Sequence, residues 1–330
     1  MPNHSTLERP LRALVVGAAV VALAFASGAP PASAAPALGT AASPGAPLAD
    51  DGSASTAPAP ADLHGLSGFP GTGLAGNGSL DNPADPTVGT PSGAPGVDSV
   101  IPPDNRTRVN PTTTFPVRAI VQIVRTAGSQ TFGCTGWLYG PNIVATAGHC
   151  VHPGGGANGG GPNGFYPQAN FEIIPGRNFP SRPYGTCGAT RLTSVNGWAQ
   201  SGSPEYDYGT ITLNCSVGNT TGWFGWWWQS ASLTGTPTTV SGYPCDKTFG
   251  EQWRHGGQTV QTTQVRRVFY LNDTFGCQSG SPVYQNRAAG SSFCTGWCVM
   301  AIHAYGGSSN SGTRITQEVS NNLVNWRNTA

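Results

Sequence analysis

Short apolar runs of four to seven residues recur along the second two-thirds of the chain. They are rich in valine, isoleucine and threonine, and glycine, proline and asparagine separate them. Runs of this composition between turn residues are typical of β-strands. We predict strands at Arg118–Val124, Thr135–Tyr139, Ile143–Thr146, Phe171–Ile174, Thr210–Leu213, Thr238–Ser241 and Val299–His303. Many short strands at this spacing predict an all-β protein, either a barrel or a sandwich.

The end of the chain has a different periodicity. Its apolar residues recur every three or four positions, at Ile315, Val319, Leu323 and Trp326. This spacing places apolar side chains along one face of an α-helix. We therefore predict one C-terminal helix that packs against the β-structure.

The first 34 residues have the pattern of a secretory signal peptide. Arg9 and Arg12 precede an apolar stretch at 13–26, and a small-residue Ala-Ser-Ala sequence ends at Ala34. A membrane anchor is the alternative, but a spanning helix needs about 20 apolar residues and this stretch is shorter. We predict a signal peptide at 1–34 and a secreted, extracellular protein.

Residues 35–98 are rich in alanine, glycine, proline and serine and contain no cysteine. This composition predicts a flexible pro-segment rather than a domain. The segment contains six aspartates and no lysine or arginine, so its net charge is −6. Residues 99–330 contain 14 basic and 8 acidic side chains, so their net charge is +6. The contrast fits attraction between the two parts, a preference for acidic substrates, or ordinary surface charge.

Three local patterns occur in a chemically meaningful order. His149 follows an apolar strand in Thr-Ala-Gly-His-Cys, Asp207 precedes another strand, and Ser279 lies in Gln-Ser-Gly-Ser-Pro. A serine hydroxyl needs a histidine to take its proton and a carboxylate to orient that histidine. Each residue alone is common in turns, but the order His, Asp, Ser is that of chymotrypsin-like proteases. We predict these three as the catalytic residues; the alternative is an inactive homologue that binds proteins.

Further segments carry a resemblance to a known family. Cys134 lies sixteen residues before Cys150, as in the histidine loop of chymotrypsin-like proteases. Other matching segments are Ser99-Val100-Ile101, Arg118-Ala119-Ile120-Val121, Tyr206-Asp207-Tyr208-Gly209, Ser241-Gly242-Tyr243-Pro244 and Gly312-Thr313-Arg314-Ile315-Thr316. On these segments, residues 99–330 resemble the bacterial glutamyl endopeptidases, closest to the bacillar members. The resemblance implies a mature protease with two six-stranded antiparallel β-barrels, at about 99–215 and about 216–330, and an active site between them.

The resemblance also implies cleavage after glutamate and, less well, aspartate. Thr274 and His303 occupy the substrate-binding positions, and Ser99 would supply a free amine after processing. Hydrogen-bond donors and positive charge suit a substrate carboxylate. However, Asp273 stands six residues before Ser279, where trypsin-like enzymes place the aspartate that binds arginine or lysine. Trypsin-like specificity is therefore the alternative, although bacillar members of the family also have Asp-Thr here.

One departure from the family lies beside the nucleophile. Cys277 replaces the usual glycine, and its N–H is expected to form the oxyanion hole with the N–H of Ser279. A residue other than glycine can strain this turn. Cys245 also replaces a family glycine, so we expect these two cysteines to bond each other.

All eight cysteines are expected in disulfides, because an even number in an exported chain is typical of them. The resemblance implies two further bonds, and the remaining two cysteines then form the fourth. The expected pairs are Cys134–Cys150, Cys187–Cys215, Cys245–Cys277 and Cys294–Cys298.

The expected partners are protein or peptide substrates and, before activation, the chain's own pro-segment. We expect a monomer with no metal or other cofactor, no nucleic acid and no membrane. The expected activation cut lies between Asp98 and Ser99. A trypsin-like activator would find no lysine or arginine in the pro-segment, whereas an enzyme that accepts aspartate could process its own precursor.

Overall fold

A computed structural model describes residues 42–53, 63–73, 79–80, 88–89 and 100–330. The predicted signal peptide, Ser99 and much of the predicted pro-segment therefore lie outside the described residues. Within the described ranges, no helix is long and apolar enough to cross a membrane. The architecture is almost entirely antiparallel β-structure.

Four short strands precede position 100, and a fifth follows it. They are β1 (Pro47–Ala49), β2 (Gly65–Leu66), β3 (Ser79–Leu80), β4 (Val88–Gly89) and β5 (Thr107–Arg108). All five pair with strands of the main body rather than with one another. The described strands before position 100, which fall in the predicted pro-segment, are therefore paired with the rest of the described structure.

Seven strands form the first half of the main body. They are β6 (Ile120–Ala127), β7 (Gln130–Leu138), β8 (Ile143–Thr146), β9 (Phe171–Pro175), β10 (Ser181–Arg182), β11 (Ala189–Val195) and β12 (Gly209–Leu213). Six of them are hydrogen-bonded in the order β11-β12-β8-β7-β6-β9. A bridge between Ile173 and Cys187 joins the two ends. The first half is therefore a closed six-stranded barrel.

Seven more strands form the second half. They are β13 (Gly225–Trp227), β14 (Pro237–Gly242), β15 (Trp253–Thr263), β16 (Arg267–Tyr270), β17 (Pro282–Arg287), β18 (Gly296–Tyr305) and β19 (Asn310–Arg314). Six follow the order β17-β14-β15-β16-β19-β18, and β17 also pairs with β18, which closes a ring. The predicted pair of six-stranded barrels is thereby confirmed.

The helical content is small. The helices are α1 (Asn196–Ala199), α2 (Gly218–Thr221) and α3 (Gln317–Asn328). The hydroxyl of Thr316 accepts the N–H of Val319 and caps α3, a common way to satisfy a free N–H at a helix start. Val319, Leu323 and Trp326 are buried, as the helical spacing predicts, while Ile315 is buried just before the helix begins.

Every predicted strand is present, but the prediction missed several others. β11, β15, β16, β17 and β19 were not predicted. β15 has no clear apolar face, because most of its positions are polar. β19 buries three polar residues, Asn310, Ser311 and Thr313. A search for apolar runs passes over such strands, because their stability comes from the hydrogen-bonded ladder and from satisfied polar side chains.

The described pro-segment contacts both barrels. β1 extends the first barrel by pairing with β11, and β2 extends the second by pairing with β13. The carboxylate of Asp50 is buried and accepts a hydrogen bond from Gln168 at 2.6 Å. The ring of His64 stacks on Trp228 with centroids 4.2 Å apart. These contacts hold the predicted pro-segment by backbone pairing, a buried hydrogen bond and ring stacking.

Candidate active site

The first barrel brings His149 and Asp207 together. His149 lies in a short 3-10 turn just after β8, and Asp207 lies just before β12, the strand that pairs with β8. His149 Nδ1 is 2.7 Å from Asp207 Oδ2, and the backbone N–H of His149 donates to Oδ1 at 2.9 Å. Both side chains are fully buried. The carboxylate is thus held on two sides and fixes the imidazole ring.

The other ring nitrogen of His149 points away from this pair. Nε2 is buried and has no hydrogen-bond partner among the described residues. The rings of Trp198 and Tyr305 lie 6.1 and 6.3 Å from the imidazole, centroid to centroid. Burial and the negative charge of Asp207 raise the pKa of Tyr305, so its hydroxyl stays protonated. The free nitrogen can therefore accept a proton.

Ser279 lies in a turn that both barrels hold in place. Its carbonyl accepts the N–H of Thr135 of β7 at 2.8 Å, and it lies 3.7 Å from Cys150 Sγ, one residue after His149. The next residue, Gly280, donates its N–H to the backbone carbonyl of His303 of β18 at 2.7 Å. The backbone of Ser279 is thus anchored to the histidine loop and to the second barrel together.

Gly280 is required by this turn. Its φ is +89°, and a Cβ here would lie 2.0 Å from the carbonyl oxygen of Thr135. Any side chain would push the Ser279 turn away from β7. The Ser-Gly pair in the sequence therefore reflects a close approach of two backbones.

Cys277 has a φ of +74°, a conformation that favours glycine. Its sulfur is bonded to Cys245, and its carbonyl accepts the hydroxyl of Thr135 at 3.0 Å. The N–H of Gln278 closes a tight turn on the carbonyl of Phe275 at 3.1 Å. A disulfide and a short hydrogen-bonded turn therefore hold the backbone in the conformation that glycine adopts freely.

His303 is buried on β18 of the second barrel. Its Nδ1 lies 2.7 Å from the hydroxyl of Tyr270, and its backbone N–H donates to the carbonyl of Ser281. Burial, together with the nearby His149 ring, lowers the pKa of His303 to about 3. Burial also raises the pKa of Tyr270 well above its usual value. At neutral pH this pair is therefore an uncharged imidazole and an uncharged phenol.

Asp273 is directed to the N-terminal segment. Its carboxylate accepts the N–H groups of Ile101 and Asn105, each at 2.8 Å. His255 Nδ1 accepts the N–H of Asp273 at 2.7 Å and lies 3.1 Å from its Oδ2. Asp273 is almost fully buried, and so is the adjacent Thr274. The acidic group is already engaged by backbone donors from two residues near the expected start of the mature chain.

The four disulfides of the structure join the cysteines in the pairs that the sequence analysis gives. One of them bears on metal binding. Within the described ranges, one group brings three metal-type ligand atoms within 4.8 Å, formed by Cys134, His149 and Cys150. Both sulfurs are bonded to each other and cannot act as thiolates, and Nδ1 of the histidine faces Asp207. This group does not fit a metal ion.

Sequence reasoning missed several residues around the site. Trp198 and Tyr305 flank His149, and Tyr270 contacts His303. Tyr305 could not have been placed by simple strand alternation, because the pairing of β18 with β19 shifts register between His303 and Tyr305. The contact from Tyr270 depends on the pairing of separate strands and carries no local signal.

Comparison with known proteins agrees with this geometry. Residues 105–326 match the Trypsin family. The chain is 46% identical over 246 residues to the glutamyl endopeptidase of Bacillus licheniformis, covering 73% of each chain. It is 45% identical over 234 residues to a Bacillus subtilis (strain 168) protein named extracellular metalloprotease, covering 70% of each chain.

Two solved structures have related folds. One is a Glu endopeptidase in complex with MPD, with a TM-score of 0.57 and 27% identity over 70% of this chain and 100% of that chain. The other is the protease Anisep from Arthrobacter nicotinovorans, with a TM-score of 0.50 and 21% identity over 66% of this chain and 98% of that chain, a likeness of fold alone. The chain therefore belongs to the trypsin family and is a chymotrypsin-like serine protease homologous to glutamyl endopeptidase.

Proposed function

We propose that the protein is a secreted serine endopeptidase that cleaves after glutamate, and less well after aspartate, with Ser279, His149 and Asp207 as its catalytic triad. The observation that carries the proposal is the buried His149–Asp207 pair with its free Nε2, in the loop that contacts the Ser279 turn. A carboxylate beside Nδ1 keeps a proton on that nitrogen, which leaves Nε2 unprotonated and able to act as the base.

The chemistry then follows in two balanced steps. Ser279 Oγ attacks the peptide carbonyl carbon while its proton moves to His149 Nε2. That proton passes to the leaving amine as the C–N bond breaks, which leaves an acyl-enzyme. A water molecule, deprotonated by the same nitrogen, then attacks the ester, and the released hydroxyl of Ser279 regains a proton from the histidine. Asp207 stabilises the imidazolium formed in each step.

The N–H groups of Cys277 and Ser279 are the proposed oxyanion hole. Donors contribute most when they already point to the place where the negative charge develops. The bond from Cys277 to Cys245, and the hydrogen bond from Thr135 to the carbonyl of Cys277, support such a fixed arrangement. We propose that the disulfide takes over the role of the missing glycine.

Glutamate specificity is assigned to Thr274 and His303. With the phenol of Tyr270 donating to Nδ1, the neutral imidazole carries its proton on Nε2 and can donate it to a carboxylate. The backbone N–H groups of Ile101 and Asn105 donate hydrogen bonds to the carboxylate of Asp273. These bonds support the assignment over trypsin-like specificity, because the carboxylate of Asp273 is already engaged. They also support a free amine at Ser99 near the pocket, since Ser99 is two residues before Ile101.

We further propose that the chain is made as a precursor with a signal peptide and a pro-segment, and that the pro-segment is its first partner. The pairing of β1 and β2 with the two barrels supports this, as does an ion pair between Asp51 and Arg191. β4 pairs with Thr131 and Phe132 of β7, on the strand that contacts the Ser279 turn. Activation by a cut between Asp98 and Ser99 would then free this strand edge.

A peptide library tests the proposed activity. The secreted enzyme should cut after glutamate far more often than after arginine or lysine, and Ser279→Ala should lose all cleavage while keeping its melting temperature. A serine-directed phosphonate should inactivate the enzyme, and a chelator should not, unlike the case of a metalloprotease. Cuts mainly after basic residues would show trypsin-like specificity, and a wild-type enzyme with no cleavage would be a binding homologue.

A further inference from the structure

Arg125 is buried beside the proposed active site but takes no part in the proposed mechanism. It lies on β6 directly across from Phe132 of β7. Its guanidinium carbon is 4.3 Å from the centroid of the Phe132 ring and 3.9 Å from that of Tyr166. Two aromatic faces thus hold the cation in one orientation, with 8% of the residue exposed.

No acidic group of the described residues pairs with this arginine. Among the described residues it forms no ion pair and no side-chain hydrogen bond, whereas Arg106 pairs with Asp104 and Asp246, and Arg266 with Glu318. Burial lowers the pKa of Arg125, which reflects the cost of placing its charge away from water. Aromatic faces offset part of that cost, and the N–H donors of the guanidinium, which are not among the fully buried polar atoms without a partner, are open to water or to a ligand.

The position of Arg125 points to what would satisfy them. A shallow depression beside His149, with room for about one water-sized atom such as a carboxylate oxygen, is lined by Arg125, Phe132, His149 and the Cys134–Cys150 disulfide. His149 gives its proton to the leaving amine, so the peptide beyond the cut passes on the histidine side. The proposed glutamate pocket, with Thr274 and His303, belongs to the other barrel. The depression is therefore on the leaving-group side of the scissile bond.

The neighbouring strand edge can receive an extended peptide. In the structure Val88–Gly89 of the pro-segment pairs with Thr131 and Phe132 of β7. Addition of a peptide strand to an exposed sheet edge is a common mode of recognition. A substrate that replaces this segment along β7 would carry its first two residues after the cut past the guanidinium.

We infer that Arg125 forms a second carboxylate subsite, which binds an acidic group one or two residues after the cleaved bond. A guanidinium that is fixed in orientation suits a carboxylate because it can donate two parallel hydrogen bonds. The carboxylate can come from a glutamate or aspartate side chain or from the C-terminus of a short leaving peptide. The inference rests on the proposed triad, because the triad defines the leaving-group side.

Peptides with one glutamate before the cut test this subsite. The first set is amidated and carries glutamate, glutamine or lysine at the first or second position after the cut. A second set ends at the second position with either a free carboxylate or an amide. We expect kcat/KM about tenfold higher for a carboxylate than for its neutral counterpart, the size of one good charge-assisted contact.

The variants identify the residue responsible. Arg125→Met should bring the ratio of carboxylate to neutral peptide close to one, and Arg125→Lys should restore only part of it, because an ammonium lacks the two-pronged geometry. Arg287→Met is the matched control. Its guanidinium also stacks on an aromatic ring, at 4.4 Å from Trp227, but it lies at the far end of β17, about 17 Å along the strand from the Ser279 turn. It should leave the ratio unchanged.

Each outcome of these experiments either supports or overturns the carboxylate subsite. A preference only for the free C-terminus would support the subsite and name the chain end as its ligand. Equal kcat/KM for carboxylate and neutral peptides in the wild type would overturn the inference, whether or not Arg125→Met folds, and so would a preference that persists in that variant. Both results leave cleavage after glutamate intact. Failure of the proposed function looks different: either no peptide is cut, or Ser279→Ala still cuts. In that case the subsite inference fails as well.

Discussion

Two buried histidines, one in each barrel, are set up in opposite ways. His149 has a carboxylate on Nδ1, from Asp207 at 2.7 Å, whereas His303 has a neutral phenol there, from Tyr270 at 2.7 Å. A carboxylate stabilises the imidazolium, while burial against a phenol favours the neutral ring. The first histidine can therefore take up a proton in the reaction, and the second can act as a neutral donor to a substrate. In the proposed function, the partner of Nδ1 therefore determines the role of the ring.

The largest effect should come from removing the charge that distinguishes the two histidines. Asp207→Asn keeps the shape of the side chain but no longer stabilises the imidazolium or its tautomer. We expect kcat on a glutamyl substrate to fall by about 10⁴-fold with KM little changed. Glu318→Gln, which neutralises an acid paired with Arg266 at the protein surface, is the control and should retain activity. An Asp207→Asn enzyme within tenfold of wild type would show that the carboxylate only packs there.

A smaller loss should follow when the second histidine loses its phenol. Tyr270→Phe removes one hydroxyl, so His303 Nδ1 becomes a buried group without a partner and the ring is free to change tautomer. We expect kcat/KM for glutamyl peptides to fall by about 10- to 100-fold, in line with about 1–3 kcal/mol for an unsatisfied buried group.

The readout for Tyr270→Phe is the ratio of cleavage after glutamate to cleavage after glutamine, which a general loss of stability would not change. Tyr284→Phe is a suitable control, because it removes a hydroxyl from another buried tyrosine of the same barrel. An unchanged ratio in Tyr270→Phe would mean that this pair does not set specificity.

Acid should destabilise the fold through His303. In the unfolded chain His303 titrates near 6.5, but in the folded protein its pKa is about 3. The unfolded state therefore binds the extra proton between these values, and the stability from the neutral ring is complete above about pH 6.5 and declines as pH falls towards 3. The slope for one such group approaches about 1.4 kcal/mol per pH unit.

Urea unfolding at pH 7, 6, 5 and 4 measures this contribution. The Ser279→Ala background prevents self-digestion, and His303→Gln should show a shallower loss of unfolding free energy than its parent. Parallel curves for the two proteins would mean that His303 is not held neutral by the fold.

How much of this could be predicted from the sequence differs between the two barrels. His149, Asp207 and Ser279 lie in short motifs next to apolar strands, so local pattern and chain order were enough to propose them. The fold class, the C-terminal helix and the cysteine pairs also agree with the structure. Here the relevant contacts follow directly from the strands that flank each motif.

The environment of His303 could not be predicted in the same way. Its pKa is lowered by complete burial and by the nearby His149 ring, and its Nδ1 contacts a phenol from β16; these features arise only when separate strands come together. Asp273 is similar, because its position before Ser279 suggests a basic substrate, while its carboxylate contacts two backbone N–H groups about 170 residues away in sequence. The role inferred for Arg125 could not be predicted from the sequence, because only the folded arrangement shows that no acidic side chain of the described residues lies beside it.

The smallest expected effect concerns Asp273, and it tests the second barrel most directly. Asp273→Asn replaces an acceptor of two backbone N–H groups with an amide that has one oxygen and one NH₂ group, so Ile101 or Asn105 loses its partner. We expect a loss of about 1–3 kcal/mol in unfolding free energy and a modest rise in KM for glutamyl peptides, because the segment that follows Ser99 is held less firmly. Preference for glutamate over arginine should stay the same, since the carboxylate serves the N-terminal segment.

Cleavage profiling on a mixed library measures this preference. Asp246→Asn, which loses an ion pair to Arg106, is a stability control. If Asp273→Asn instead abolished a measurable cleavage after arginine, the carboxylate would line the pocket and the contrast between the two histidines would no longer account for specificity.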